Sequence, residues 1–149
     1  IDSDTIFVNN NCFIEGKKYI FLASEEWHQP YFDSFEDMFG YNAPTKLSLT
    51  SHMMIFNHNK LKKMKAELEK KHNKNWFDIY ISTVSPEEQS CISDYDTYAN
   101  WMLYNYSDEV EILPFYNKSI SRKYLGSLSD LTEKFINLKS ISFHSYIGS

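Results

Sequence analysis

The sequence is poor in cysteine: Cys12 and Cys91 are the only two in 149 residues. Two thiols make neither a disulfide framework nor a cysteine-based zinc pattern, which fits a reducing compartment. Basic residues are outnumbered, 15 Lys and Arg against 20 Asp and Glu, for a formal net charge of −5. A nucleic-acid binder needs a basic face to displace counterions, so that class is disfavoured. No apolar run approaches the length of a membrane span, and no signal peptide precedes the first motif. A glycine-rich phosphate loop, internal repeats and low-complexity tracts are missing as well. These absences predict a soluble, cytoplasmic protein with no membrane span and no nucleic-acid partner.

What the chain does have is aromatic and apolar mass. Hydrophobic residues make up 42% and charged residues 23% of the sequence, which argues against disorder. Aromatics reach 17%, enough for an aromatic-rich core or a surface on which flat ligands such as sugars stack. The length suits one domain, residues 1–149, with a real core.

The chain opens Ile1-Asp2-Ser3-Asp4-Thr5-Ile6-Phe7-Val8. In an extended segment side chains alternate faces, so Asp2 and Asp4 are expected on the same side. The apolar run behind them places the pair at the rim of a buried sheet. Two carboxylates held together repel unless a cation lies between them, and Mg or Mn suits hard oxygen ligands. The competing reading is a solvated turn with two capping aspartates. An opening in mid-strand also predicts that this is the carboxy-terminal part of a longer protein.

Further along, Phe13-Ile14 and Lys18 to Ala23 read as a hairpin through Glu15-Gly16. Glu25, Glu26, Trp27 and His28 lie in a loop, where carboxylates beside a histidine could ligate metal or simply face solvent. Phe32 to Phe39 has helical spacing with Gly40 as its stop. Leu47 to Phe56 reads as extended, with His52 at a kink where it could meet a ligand or phosphate. Asn57 caps a helix to about His72, buried through Leu61, Met64 and Leu68, and its lysines form a solvated face. Trp76 to Val84 is a second short helix. Ser93 is an N-cap, with Asp96 three residues on completing something like a capping box, so capping alone could explain the acidic first turn. Glu109 to Phe115 alternates as a strand ending at Pro114. Asn117 to Gly126 reads as a mobile basic loop, Ser129-Asp130 as the cap of a helix through Leu138, and Ser140 to Tyr146 as the last strand. Strands alternating with helices give an α/β class, a mixed sheet flanked by helices.

Taken together, Asp2-Ser3-Asp4 resembles the Asp-x-Asp signature of metal-dependent, nucleotide-sugar glycosyltransferases of the GT-A fold. Three pieces are similar to a poorly characterised group of bacterial glycosyltransferase-like proteins: Ser51-His52-Met53-Met54-Ile55-Phe56-Asn57, Lys71-His72-Asn73-Lys74-Asn75-Trp76, and Ser93 to Asn100. Ile141 to Ser145 resembles that group's closing strand. The group usually has glycine where Ala99 stands and glutamates where Asp94 or Asp96 stands, so the charge is kept on a shorter side chain. The resemblance implies the carboxy-terminal portion of a GT-A-type transferase, lacking the amino-terminal half that binds base and ribose. It implies transfer of a sugar from a nucleotide-diphosphate donor to a hydroxyl acceptor, with a divalent ion held by Asp4, Asp2 and His144. Asp2 would touch metal or ribose, His52 would position acceptor or phosphate, and Asp94 or Asp96 would be the acid/base group. Mn is slightly favoured over Mg, because an imidazole ligand is softer than oxygen.

Two other classes stay open. A phosphatase of the haloacid dehalogenase type also begins with Asp-x-Asp, but it needs Thr or Val where Ile6 stands and a later Gly-Asp loop that is missing. A non-catalytic or truncated module that binds carbohydrate or a partner is the other alternative.

Overall fold

Helix α4, Asp94–Asn105, is the element around which the rest packs. Ser93 ends the chain's extended run and its hydroxyl accepts from the Asp96 amide at 3.1 Å, satisfying one of the amides a helix start leaves unpaired. Tyr98, Ala99, Trp101 and Met102 are each 2% exposed or less. The computed structural model describes residues 1–147.

Three helices surround it. Helix α1, Gln29–Phe39, starts earlier than its apolar spacing predicts, because Pro30 sits in the first turn where its missing amide costs nothing. Gly40 closes it in the left-handed conformation at φ 77°, as the glycine stop predicts. Helix α2, His58–His72, carries the predicted cap: the Asn57 side chain accepts from the amides of Asn59 and Lys60. Its Met64 and Leu68 are buried. Helix α3, Trp76–Thr83, contributes Ile79. Phe21, Phe35, Met38, Leu49, Met64, Leu68, Ile79, Tyr98 and Trp101 form one continuous core. Trp101 spends its indole N–H on Glu67, at 2.8 Å, so the ring is buried without an orphaned donor.

The strands form two small three-stranded mixed sheets. In the first, β1 (Thr5–Phe7) pairs antiparallel with β6 (Ser140–His144), and β6 pairs parallel with β5 (Asn117–Ser121). In the second, β2 (Ile14–Glu15) forms the predicted hairpin with β3 (Lys18–Ala23), which runs parallel to β4 (Val110–Pro114). The α/β class therefore holds at the level of mixed sheets with helices. Phe115 and Tyr116 join the sheets, with the Phe115 amide on the Ala23 carbonyl and the Lys139 amide on the Tyr116 carbonyl.

Strand β6 is buried along its whole length. Its period of two sends Ile141 and Phe143 to one face and Ser140, Ser142 and His144 to the other. The polar face is satisfied by neighbours. Ser140 and Ser142 donate to Asn117 Oδ1 at 2.8 and 3.2 Å, and Thr5 shares a hydrogen bond with Ser142.

Four expectations change. Asp2 and Asp4 lie on a turn, closed by the Thr5 amide on the Asp2 carbonyl, rather than along a strand. Residues 117–126, expected to be a mobile loop, make β5 and then a 3-10 segment, Arg122–Ser127, because β6 supplies a parallel partner. Residues 47–56 are extended but join no sheet beyond a single bridge between Ser48 and Ser24. The last helix, α5, runs Leu128–Lys134, so Ser129 and Asp130 lie inside it rather than capping it.

Candidate functional site

The turn at the start of the chain is fixed from three directions. Its Asp2 amide donates to the His52 carbonyl at 2.8 Å. The Phe143 amide on β6 donates to the Asp4 carbonyl at 2.8 Å. The Tyr95 hydroxyl, from the first turn of α4, donates to Asp2 Oδ1 at 3.2 Å. Burial pushes that hydroxyl up to about 12, helped by the charge on Asp2, so it stays a donor at neutral pH.

Two carboxylates and two imidazoles meet there. Asp2 Oδ2 lies 3.0 Å from His52 Nδ1, and Asp4 Oδ2 lies 3.2 Å from His144 Nδ1. The two imidazole rings are 5.2 Å apart. Single ligand atoms of Asp2, Asp4 and His52 all fall within 4.8 Å of one another. His144 is the most deeply set, its side chain 9% exposed against 45% for Asp2. Its other ring nitrogen is 3.2 Å from the Ser119 hydroxyl, which fixes the ring's orientation. Arg122 stands 3.9 Å from Asp4.

Imidazole nitrogens and carboxylate oxygens are donor types that suit Mn as well as Mg. Of the set expected for metal, Asp2 and Asp4 fall in one close group of ligand atoms, and the third member of that group is His52 rather than His144. His52 is the residue expected to meet substrate instead, and of the two carboxylates His144 touches Asp4, with Ser119 on its other ring nitrogen.

Asp94 and Asp96 part company. Asp96 is 3% exposed. Its Oδ1 accepts from the Leu49 amide at 2.6 Å, and its Oδ2 accepts from the hydroxyls of Thr50 and Ser48. Burial raises its pKa above the ordinary carboxylate value, against the lowering effect of those bonds. A carboxylate so enclosed clamps residues 48–50 onto α4 and cannot reach a substrate hydroxyl. The expected capping box is therefore half formed, since Asp96 supplies its amide to Ser93 but turns its side chain to Leu49. Asp94 is exposed and lines a separate cavity of about 280 Å³ with Phe56, Trp76, Tyr80 and Tyr98.

Two further cavities border the cluster. One, about 380 Å³, lies beside Asp4 and Arg122. The other, about 450 Å³, lies beside His52. Sequence reasoning missed Tyr95, Ser119 and Arg122. Tyr95 lay unremarked between two aspartates, and the other two fell in the stretch expected to be a mobile loop. The chain matches no family model, no curated protein sequence and no solved structure. No helix among the described residues is long and apolar enough to cross a membrane.

Proposed function

We propose that the chain belongs to an enzyme that transfers a sugar from a nucleotide-diphosphate donor to a hydroxyl acceptor, assisted by Mn or Mg. The observation that carries this reading is the carboxylate–imidazole cluster, gathered from residues 2–4, residue 52 and the end of β6. The ligand atoms of Asp2, Asp4 and His52 are no more than 4.8 Å apart. That is close to twice a metal–oxygen bond of about 2.1 Å, so small side-chain shifts close a shell around one ion. Bound there, the ion would stabilise negative charge on diphosphate oxygens.

The chain's own residues supply the rest. Arg122 lends positive charge to the cavity beside Asp4, which suits an anionic diphosphate. Tyr95 and Ser119 orient Asp2 and His144. In the transfer, the acceptor oxygen bonds to the anomeric carbon and the bond from that carbon to the diphosphate breaks. The electron pair leaves on the diphosphate. The hydroxyl proton passes to a carboxylate that substrate can reach, which excludes Asp96.

The test is calorimetric titration with MnCl2, then with UDP and GDP, followed by assay of nucleotide release from nucleotide sugars. Nucleotide binding that requires Mn and is lost in Asp4→Asn is the expected result. Binding indifferent to both EDTA and Asp4→Asn would sink the metal-assisted reading. Carbohydrate binding with no turnover would instead favour the non-catalytic module.

A further inference from the structure

We propose that the cavity beside His52 is an acceptor subsite for an uncharged carbohydrate, and that Glu25 and Glu26 take up the acceptor's hydroxyl proton. This rests on the transfer reading above. The cavity is built where the parallel strands β3 and β4 both end, at Ala23 and Pro114, and ligands of α/β sheets gather at the carboxyl ends of strands. At about 450 Å³ it is the size of a small-ligand site.

Its lining has the chemistry of a polyol site. Asn117 spends its carbonyl oxygen on Ser140 and Ser142, which fixes the amide so that its NH2 faces Ser119 at 3.5 Å. A contact that long leaves the amide donor capacity for a ligand. The Ser24 hydroxyl on the cavity wall is shielded from solvent and has no hydrogen-bond partner among the described residues. Such an orphan costs free energy until something bonds to it. Phe115 presents a half-buried ring 5.8 Å from that of His52, an apolar face for the C–H side of a pyranose.

Charge selects the ligand. Glu25 and Glu26 are exposed carboxylates at the cavity, and neither lysine nor arginine lines it. Their oxygens accept from sugar hydroxyls and repel phosphate, the reverse of the cavity that Arg122 lines. His52 belongs to both this cavity and the cluster, so a hydroxyl bound here is brought up to the reacting centre. Asp94 faces a different cavity. The proton therefore goes from the acceptor oxygen, as it bonds to the anomeric carbon, to the Glu25–Glu26 pair, while the departing diphosphate keeps the electron pair of the broken bond.

The experiment uses the whole chain loaded with MnCl2 and UDP, and saturation-transfer NMR with methyl glycosides of glucose, galactose, mannose and N-acetylglucosamine. Glucose 6-phosphate is the anionic probe. At least one neutral glycoside is expected to bind, with glucose 6-phosphate weaker by roughly tenfold or more, the scale of one unfavourable contact. Asn117→Leu should weaken that glycoside by a similar factor with Mn–UDP binding unchanged. Because Asn117 also braces β6, Glu25→Gln/Glu26→Gln on the exposed loop serves as the second variant. No glycoside binding while Mn–UDP still binds, or binding unaltered in both variants, overturns the subsite. In the transfer assay Glu25→Gln/Glu26→Gln should lose roughly two to four orders of magnitude. Full activity there, with that loss in Asp94→Asn instead, overturns the proton assignment. If Mn–UDP binding itself fails, the transfer reading falls, and Asn117-dependent glycoside binding would still mark the cavity.

Discussion

The Tyr95 hydroxyl and Asp2 Oδ1 meet at 3.2 Å across 93 residues of sequence. The bond ties the opening turn of the chain to the first turn of α4, the central helix. It also occupies one Asp2 oxygen while His52 faces the other, so the carboxylate is held in a single orientation. In the proposed metal site Tyr95 would act through Asp2, the carboxylate that it holds. Tyr95→Phe should weaken Mn binding by roughly 10- to 100-fold, the usual effect of removing the group that orients a ligand. The ring packs near Phe56 at 5.9 Å and survives the change, so the melting temperature should hardly move. Mn titration beside a thermal melt checks this, and unchanged Mn affinity would leave Tyr95 a packing residue only.

The two histidines make unequal contributions in this geometry. His52 belongs to the closest triad with Asp2 and Asp4, whereas His144 contacts Asp4 and is braced by Ser119. His52→Ala should therefore reduce Mn affinity more than His144→Ala does. His144→Ala should cost more stability, since its side chain is the more buried. Paired calorimetric titrations and urea melts separate the two effects. The opposite order of affinities would make His144 rather than His52 the stronger metal ligand.

Asp96→Asn addresses the clamp between α4 and residues 48–50. An asparagine oxygen can still accept from the Leu49 amide, and the Ser48 and Thr50 hydroxyls can rotate to accept from its NH2. Stability at neutral pH should change by no more than about 1–2 kcal/mol. Turnover should stay within a few-fold of the parent, against the loss of two to four orders expected of a catalytic base. Asp96→Ala, which strands the Leu49 amide, should be the more damaging by about 1–3 kcal/mol.

The same residue gives a pH signature. Burial raises the Asp96 pKa in the folded protein above its unfolded value, so the fold binds that proton more tightly than the unfolded chain does. Its contribution is favourable at low pH and is lost as pH rises from the unfolded pKa through the raised folded one. Urea melts across the acid range should show the parent losing stability relative to Asp96→Asn over that window. Parallel curves would mean that the carboxyl is not shifted.

Trp101 tests the core. It is 2% exposed and donates to Glu67 at 2.8 Å. Trp101→Ala should cost roughly 3–5 kcal/mol, through a cavity at the middle of α4. Trp101→Phe should recover part of that loss and leave Glu67 Oε2 without the indole donor, while Tyr41 still donates to Oε1. Denaturant titration of the three proteins checks the ranking.

What the sequence determined by itself was local. Asn57 ahead of an apolar stripe set the start of α2, and Asn73 in the left-handed conformation ends it. Ser93 set the start of α4, Gly40 the end of α1, and the alternation of residues 110–114 a strand. Caps, stops and periodicities act over a turn or two of chain, so neighbouring residues suffice to encode them. The Asp-x-Asp pair was legible in the same way as a place where charge concentrates. Tertiary structure decided where those charges face. The turn at Asp2 and Asp4 depends on β6 and residue 52, and the inward swing of Asp96 depends on the backbone of residues 49 and 50. β5 forms because β6 lies beside it, so the residues after Tyr116 looked like loop when read alone. Partners roughly 20 to 140 residues away chose these arrangements, and no short-range pattern carries information about a partner that distant.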